Sequence, residues 1–278
     1  MRLSVETLGL IGRFGAEKSL AMIRDAGFDC VDFSYTWRIT TPEELSPYIG
    51  EDFVARAREI RAELDRVGLC CNQVHAPFRP MSDAHVPLVI RAIEGAAILG
   101  APHIVVHPRW CAEEMERYNV AYFKALEPVC REFGVRIAIE NLFHREKPSG
   151  FSGIFHTPEA MRSLLERLDS PWFGVCCDTG HAVLTGTQPA DLIRGLPAGA
   201  LLALHVQDND GVDDRHTLPF LGKLDWESVM AALRDTGYRG DLTFEIYKYL
   251  RAFPDDLVFD ALCHAARVGR GLIAKFEE

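Results

Sequence analysis

Short runs rich in Val, Ile, Leu and Phe alternate along this chain with longer stretches of helical period. The runs predict strands over Leu3–Glu6, Cys30–Ser34, Cys70–His75, His103–His107, Arg136–Glu140, Phe173–Asp178, Ala200–His205 and Asp241–Ile246. Between them the period predicts helices near 17–26, 52–67, 84–99, 113–133, 158–168, 189–194, 226–236 and 255–275, the sixth short and weakly patterned. Thr41-Pro42-Glu43-Glu44 and Thr157-Pro158-Glu159 read as helix entries, with a capping hydroxyl and Pro at the first helical position. Gly27, Gly68, Gly100, Gly134 and Gly237 each stand where a helix should stop before a strand.

Eight βα units in 278 residues predict an α/β fold, a single (β/α)8 TIM barrel over 1–278 as one domain. An open doubly wound sheet also alternates strand and helix, but usually carries a Gly-rich phosphate loop after its first strand. Here that turn reads Glu6-Thr7-Leu8-Gly9-Leu10-Ile11-Gly12, without G-x-G-x-x-G.

Polar residues recur at the strand ends. His75, His107, Glu140, Asp178 and His205 close their strands, and Glu245 lies at the end of the last. Each follows an apolar residue: Val74, Val106, Ile139, Cys177, Leu204 or Phe244. Strand side chains alternate between faces, so those apolar residues should meet the helices and the polar ones the barrel axis. Any one of them alone reads more simply as a cap or a hydrogen-bonded core residue. Together, three carboxylates and three imidazoles in an apolar mouth demand neutralisation, and a divalent cation is the simplest means. His181, three residues after Asp178, and the loop pair Asp214 and His216 can reach the same volume.

Composition sets limits. Apolar residues make up 48% and charged residues 25%, enough apolar material to exclude disorder as the dominant state. No run approaches the ~18 apolar residues of a membrane span. The opening Met1-Arg2-Leu3-Ser4-Val5-Glu6 lacks the apolar core of a signal peptide. Eight scattered cysteines, two pairs of them adjacent in apolar runs, suit reduced thiols, so a cytoplasmic location with no membrane partner is expected. A net charge of −10 argues against nucleic acid as a partner.

The phrases IAIEN at 137–141, CDTGHA at 177–182, LHVQDND at 204–210 and TFEIY at 243–247 resemble the sugar phosphate isomerase/epimerase family. This is the xylose isomerase-like TIM barrel superfamily, which endonuclease IV shares. The resemblance covers essentially the whole chain. It implies a divalent metal, Mn2+ or Zn2+ and alternatively Co2+ or Mg2+, held by Glu140, Asp178, His205 and Glu245. It implies that Glu140 and Glu245 are also the catalytic acid/base pair, and that His181 contacts substrate oxygens. Some epimerases of this type place a substrate-binding Arg where this chain has Gly211. The endonuclease IV pattern of nine zinc ligands would add His75, His107, His181, Asp214 and His216. Against a nuclease, the mouth loops carry only scattered basic residues among Asp208, Asp210, Asp213 and Asp214.

The expected reaction is metal-dependent isomerisation or epimerisation of a sugar or sugar phosphate, by proton transfer next to a carbonyl through a metal-stabilised enediolate. An endonuclease IV-like zinc phosphodiesterase and a metal-dependent dehydratase of a cyclic polyol or keto-acid are the enzymatic alternatives. A metal-stabilised binding protein is the non-catalytic one. Arg109 and Trp110 are further candidates for holding the sugar, together with Arg79 and the aromatics Phe33, Tyr35, Trp37 and Phe78; salt bridging and rim packing explain them equally well. By resemblance a homodimer or homotetramer is expected.

Overall fold

A computed structural model describes residues 1–36, 46–77, 85–146 and 150–277. Eight parallel strands form one sheet in the order β10-β1-β2-β3-β4-β5-β8-β9. They are β1 (Leu3–Glu6), β2 (Cys30–Ser34), β3 (Cys70–His75), β4 (His103–Val106), β5 (Arg136–Glu140), β8 (Phe173–Asp178), β9 (Leu201–His205) and β10 (Leu242–Phe244). Val206 closes the ring: it bridges Phe244, its N–H donates to the Thr243 carbonyl at 2.8 Å, and its own carbonyl accepts from Glu245 N at 3.1 Å. The result is the TIM barrel, with helices packed between successive strands.

The alternation of faces holds. Val74, Val106, Ile139, Cys177, Leu204 and Phe244 all join the large apolar layer between sheet and helices. Inside the barrel a small separate plug of Val105, Ala138, Cys176, Leu202 and Ala203 fills the axis beneath the polar strand ends. That plug explains how a ring of charged groups can sit in a packed barrel. Beside the plug, below the strand ends, a buried hydrogen-bonded chain of Ser4, Asn72, Thr243, Gln73 and Asp32 fills the rest of the interior.

The anticipated helices form, as α2 (Ala16–Ala26), α3 (Phe53–Val67), α4 (Val86–Leu99), α5 (Met115–Phe133), α6 (Pro158–Leu168), α8 (Pro189–Gly195), α9 (Trp226–Asp235) and α11 (Val258–Glu277). Thr157 caps α6 as expected, its Oγ1 accepting from Ala160 N at 3.2 Å. The other Thr-Pro entry, at 41–44, lies outside the described residues.

Four features had no signal in the periodicity. A short α1 (Leu8–Phe14) follows β1, and α10 (Tyr247–Arg251) follows β10. They pack on each other where Gly9 would bring a Cβ within 3.2 Å of the Tyr247 Cα, so a tertiary contact rather than helix propensity makes α1. A hairpin of β6 (Leu142–Arg145) and β7 (Phe151–Ile154) interrupts the alternation after β5. The one-and-a-half-turn α7 (Thr179–Leu184) begins directly at the end of β8.

Candidate metal centre

The six strand-end residues converge. Glu140, with no exposed surface, sits among imidazoles: His107 Nε2 at 2.9 Å, His205 Nδ1 at 3.2 Å, His181 Nδ1 at 3.2 Å and His75 Nε2 at 3.7 Å. Donor atoms of Glu140, Asp178, His205 and Glu245 all lie within 4.8 Å of one another. Two further sets meet the same limit, His75 with Glu140 and His205, and His181 with Asp214 and His216. The two loop residues Asp214 and His216 are thus brought to the strand ends. His216 Nε2 lies 2.9 Å from Asp214 Oδ2.

Hydrogen bonds orient the rings. His75, His181 and His216 each place Nδ1 against a main-chain carbonyl, of Ala76 at 2.8 Å, Asn141 at 3.1 Å and Glu245 at 3.1 Å. A carbonyl only accepts, so each Nδ1 carries a proton, which leaves Nε2 as the ring position that could bind a metal ion. His205 is held the other way round. Its Nε2 donates to Asp32 Oδ2 at 3.0 Å, which leaves Nδ1 as the electron-pair donor, facing Glu140 and Glu245. Outer partners that fix a tautomer in this way are characteristic of imidazole metal ligands.

Asp178 has two tasks. Its Oδ1 caps α7 by accepting from His181 N at 2.7 Å, which also pins His181 over the mouth. Asn141 straps the same corner, its Oδ1 accepting from Asp178 N at 2.8 Å and its Nδ2 donating to the Asp178 carbonyl at 2.9 Å. Gln207 then ties the sets together. Its Nε2 donates to Asp178 Oδ1 at 3.2 Å and Asp214 Oδ1 at 3.3 Å, while its Oε1 accepts from His216 N at 3.1 Å.

Among the described residues, both carboxylate oxygens of Glu140, Oε2 of Glu245 and Nδ1 of His205 are buried and meet only one another and the neighbouring imidazoles, with no well-aligned hydrogen bond. Buried carboxylates at such density cost several kcal/mol unless positive charge meets them, from a bound cation or from the imidazoles themselves. Burial lowers His75 and His181, yet the carboxylates around them outweigh it and push each up to about 9. With carboxylate and imidazole donors only, the set fits a borderline divalent ion. Electrostatics point the same way. Burial pushes the Asp178 carboxyl up to about 7, and burial together with the Glu245 charge pushes Glu6 up to about 8. Burial would raise Glu140 too, but His205 and His107 outweigh it and hold that carboxyl well below its usual range.

The aromatic and basic candidates are dispersed. Trp110 is 42% exposed and stacks on His144 of the β6–β7 hairpin, with ring centroids 4.1 Å apart. Arg109 is buried over the Tyr122 ring at 4.0 Å and donates to Tyr118 Oη at 2.9 Å, both on α5. Phe33 and Tyr35 pack in the core. Trp37, Phe78 and Arg79 lie outside the described residues.

Glu6, Asp32, Asn141 and Gln207 also belong to the site, beyond the residues expected from the strand ends. Two of these had a signal. Glu6 ends β1 as the other acids end theirs, and Asp32 is a charge inside an otherwise buried strand, Cys-Val-Asp-Phe-Ser. Asn141 and Gln207 act through loop geometry that no spacing rule displays.

The barrel has relatives. Residues 20–262 match the family described as xylose isomerase-like TIM barrel. The chain belongs to that family. The uncharacterised protein y4fM of Sinorhizobium fredii is 30% identical over 270 residues, spanning 83% of this chain and 81% of its own. Among solved structures, a D-tagatose 3-epimerase-like protein superposes with a TM-score of 0.73 at 22% identity, covering 98% of this chain and 100% of that one. A zinc-bound IOLI protein superposes with a TM-score of 0.71 at 16% identity, covering 99% and 98%. At those identities the two structures establish the barrel that this xylose isomerase-like chain shares with them. Among the described residues no helix is long and apolar enough to cross a membrane.

Proposed function

We propose that the protein is a divalent-metal-dependent isomerase or epimerase of a sugar or sugar phosphate. The observation that carries this reading is the convergence of Glu140, Asp178, His205 and Glu245 within 4.8 Å, with two carboxylates from well-separated strands. These four residues would hold the ion. When bound, it would supply Lewis-acid polarisation of a substrate carbonyl.

The proton chemistry falls to the chain itself. Glu140 on β5 and Glu245 just past β10 approach the mouth from different sides of the ring. One removes the proton beside the carbonyl, and the other returns one to the opposite face or to the adjacent carbon. His181 is oriented by Asn141 and by the Asp178 cap to hydrogen-bond a substrate hydroxyl. The epimerase-like structural relative is consistent with this chemistry.

The test is solvent deuterium exchange into a panel of ketoses and their phosphates, with Mn2+ or Zn2+ added. Exchange should appear in a metal-dependent way and disappear on chelation. Glu140→Gln and Glu245→Gln should each reduce it by about 10²–10⁴-fold, the usual share of general acid–base catalysis. Full exchange in either variant, or none with any ketose, refutes the proposal.

One observation favours a second reading. The sets His75–Glu140–His205 and His181–Asp214–His216 supply donors for more than one ion. A multinuclear site suits hydrolysis, as in an endonuclease IV-like phosphodiesterase. Three zinc ions per chain together with cleavage of abasic DNA would establish it. One ion per chain with no cleavage would remove it.

A further inference from the structure

The opposite end of the barrel carries a different pair of reactive groups. Cys30 opens β2 and Cys70 opens β3, and the two are direct register partners on adjacent parallel strands. Their sulfurs lie 2.9 Å apart. Neighbouring strands run about 4.8 Å apart, within the ~4.4–6.8 Å separation of Cα atoms that a disulfide spans. Bonding needs roughly 0.9 Å of further approach, given an S–S bond of about 2.05 Å.

A cation serves this pair. Arg2 Nη1 donates to Cys70 Sγ at 3.0 Å. The guanidinium is itself held by both oxygens of Asp241, at 2.9 and 2.8 Å, so its position is fixed. The two thiols are unequal. Cys70 is half-buried, whereas Cys30 has no exposed surface and its thiol is pushed up by burial. Beside Arg2 a cavity of about 340 Å³ opens at this face, lined also by Asn72, His103, Arg239 and Asp241. The cavity reaches Arg2, and the partial exposure of Cys70 gives a small solute access to that sulfur.

We propose that Cys30 and Cys70 form a peroxide-responsive dithiol, in which Cys70 is the attacking sulfur and Cys30 the resolving one. Cys70 attacks a hydroperoxide ROOH, the O–O bond breaks, and ROH leaves with a proton while the sulfur becomes a sulfenic acid. The Cys30 sulfur then attacks that sulfur. The S–S bond forms and the S–O bond breaks, releasing water with the Cys30 proton. In sum two thiols lose two electrons and two protons, and the peroxide is reduced to alcohol and water. Arg2 places positive charge where negative charge builds on the attacking sulfur. A thiol reductant reverses the change. None of this involves the strand ends at the mouth, so it stands whatever the metal centre does.

The experiment uses the full-length protein with hydrogen peroxide as probe. Unreduced digestion and mass spectrometry should give one peptide pair joined through Cys30 and Cys70, lighter by two hydrogens, with two of the eight thiols lost and recovered by dithiothreitol. Cys30→Ser should stop at a sulfenic acid on Cys70, trapped by dimedone. Arg2→Gln should slow cross-linking several-fold at neutral pH, and Arg2→Lys should restore most of the rate. Oxidation that falls on Cys111 or Cys263 while Cys70 stays a free thiol overturns the proposal. So does sulfinic acid on Cys70 without the cross-link. The wild-type readout alone decides, so a variant that fails to fold leaves the test intact.

Discussion

Replacing Asp32 tests the metal centre through a residue that would not itself touch the ion. Asp32 has no exposed surface, and its Oδ2 accepts from His205 Nε2 at 3.0 Å and Gln73 Nε2 at 2.8 Å. Without that acceptor the His205 ring can rotate or exchange tautomer, and Nδ1 no longer reliably faces Glu140 and Glu245. Loss of such an outer partner typically weakens metal binding by about 10–100-fold, or about 1.4–2.7 kcal/mol. Asp32→Ala should show a loss of that size. Asp32→Asn should lose less, because an amide oxygen at the Oδ2 position still accepts both hydrogen bonds. Chelator-stripped protein, titrated calorimetrically with Mn2+ or Zn2+ against a competing chelator, gives the affinities. Thermal unfolding with and without the ion gives an independent figure, since stabilisation by a ligand follows its dissociation constant. Wild-type affinity in Asp32→Ala, with an unchanged metal-induced shift in unfolding, would show that His205 does not bind through Nδ1 and refute the reasoning.

Two other perturbations probe the frame. His103 is pushed down to about 4 by burial, with Arg136 adding to it. The unfolded chain takes up that proton near pH 6.5 and the folded one refuses it until near 4, so stability should fall as pH drops through that window, by at most about 3 kcal/mol. His103→Gln should flatten that limb of a denaturation series run from pH 7 to pH 4, and an unchanged slope would exclude the effect. Gly180→Ala would set a Cβ 2.3 Å from Gln207 Cδ, forcing aside the side chain that links Asp178, Asp214 and His216. It should cost about 1–3 kcal/mol in chemical denaturation and lower the ions bound per chain, whereas wild-type values of both would show that Gln207 yields freely.

Much of this molecule is legible in one dimension. Strand and helix periods are local, and a side chain on a strand is committed to one face by its place in the alternation. That is why Val-His, Ile-Glu and Cys-Asp at strand ends already separate what meets the helices from what meets the axis, and why β1, β2, β3, β5 and β8 fall on their expected residues. The family phrases carry further information of the same kind, since each sits on a single strand or its first turn.

What only the tertiary structure decides depends on groups distant in sequence. Asp32 and His205 are 173 residues apart, and nothing in either neighbourhood says that one sets the tautomer of the other. Arg109 follows β4, and its described side-chain contacts include Tyr118 and Tyr122 of α5, which lie nine and thirteen residues further on and are brought back over it by the packing of that helix. Cys30 and Cys70 become neighbours through register alone. Local sequence determines which face a side chain takes. Ring closure and register determine which other side chain it finds there, because those follow from the packing of the whole barrel.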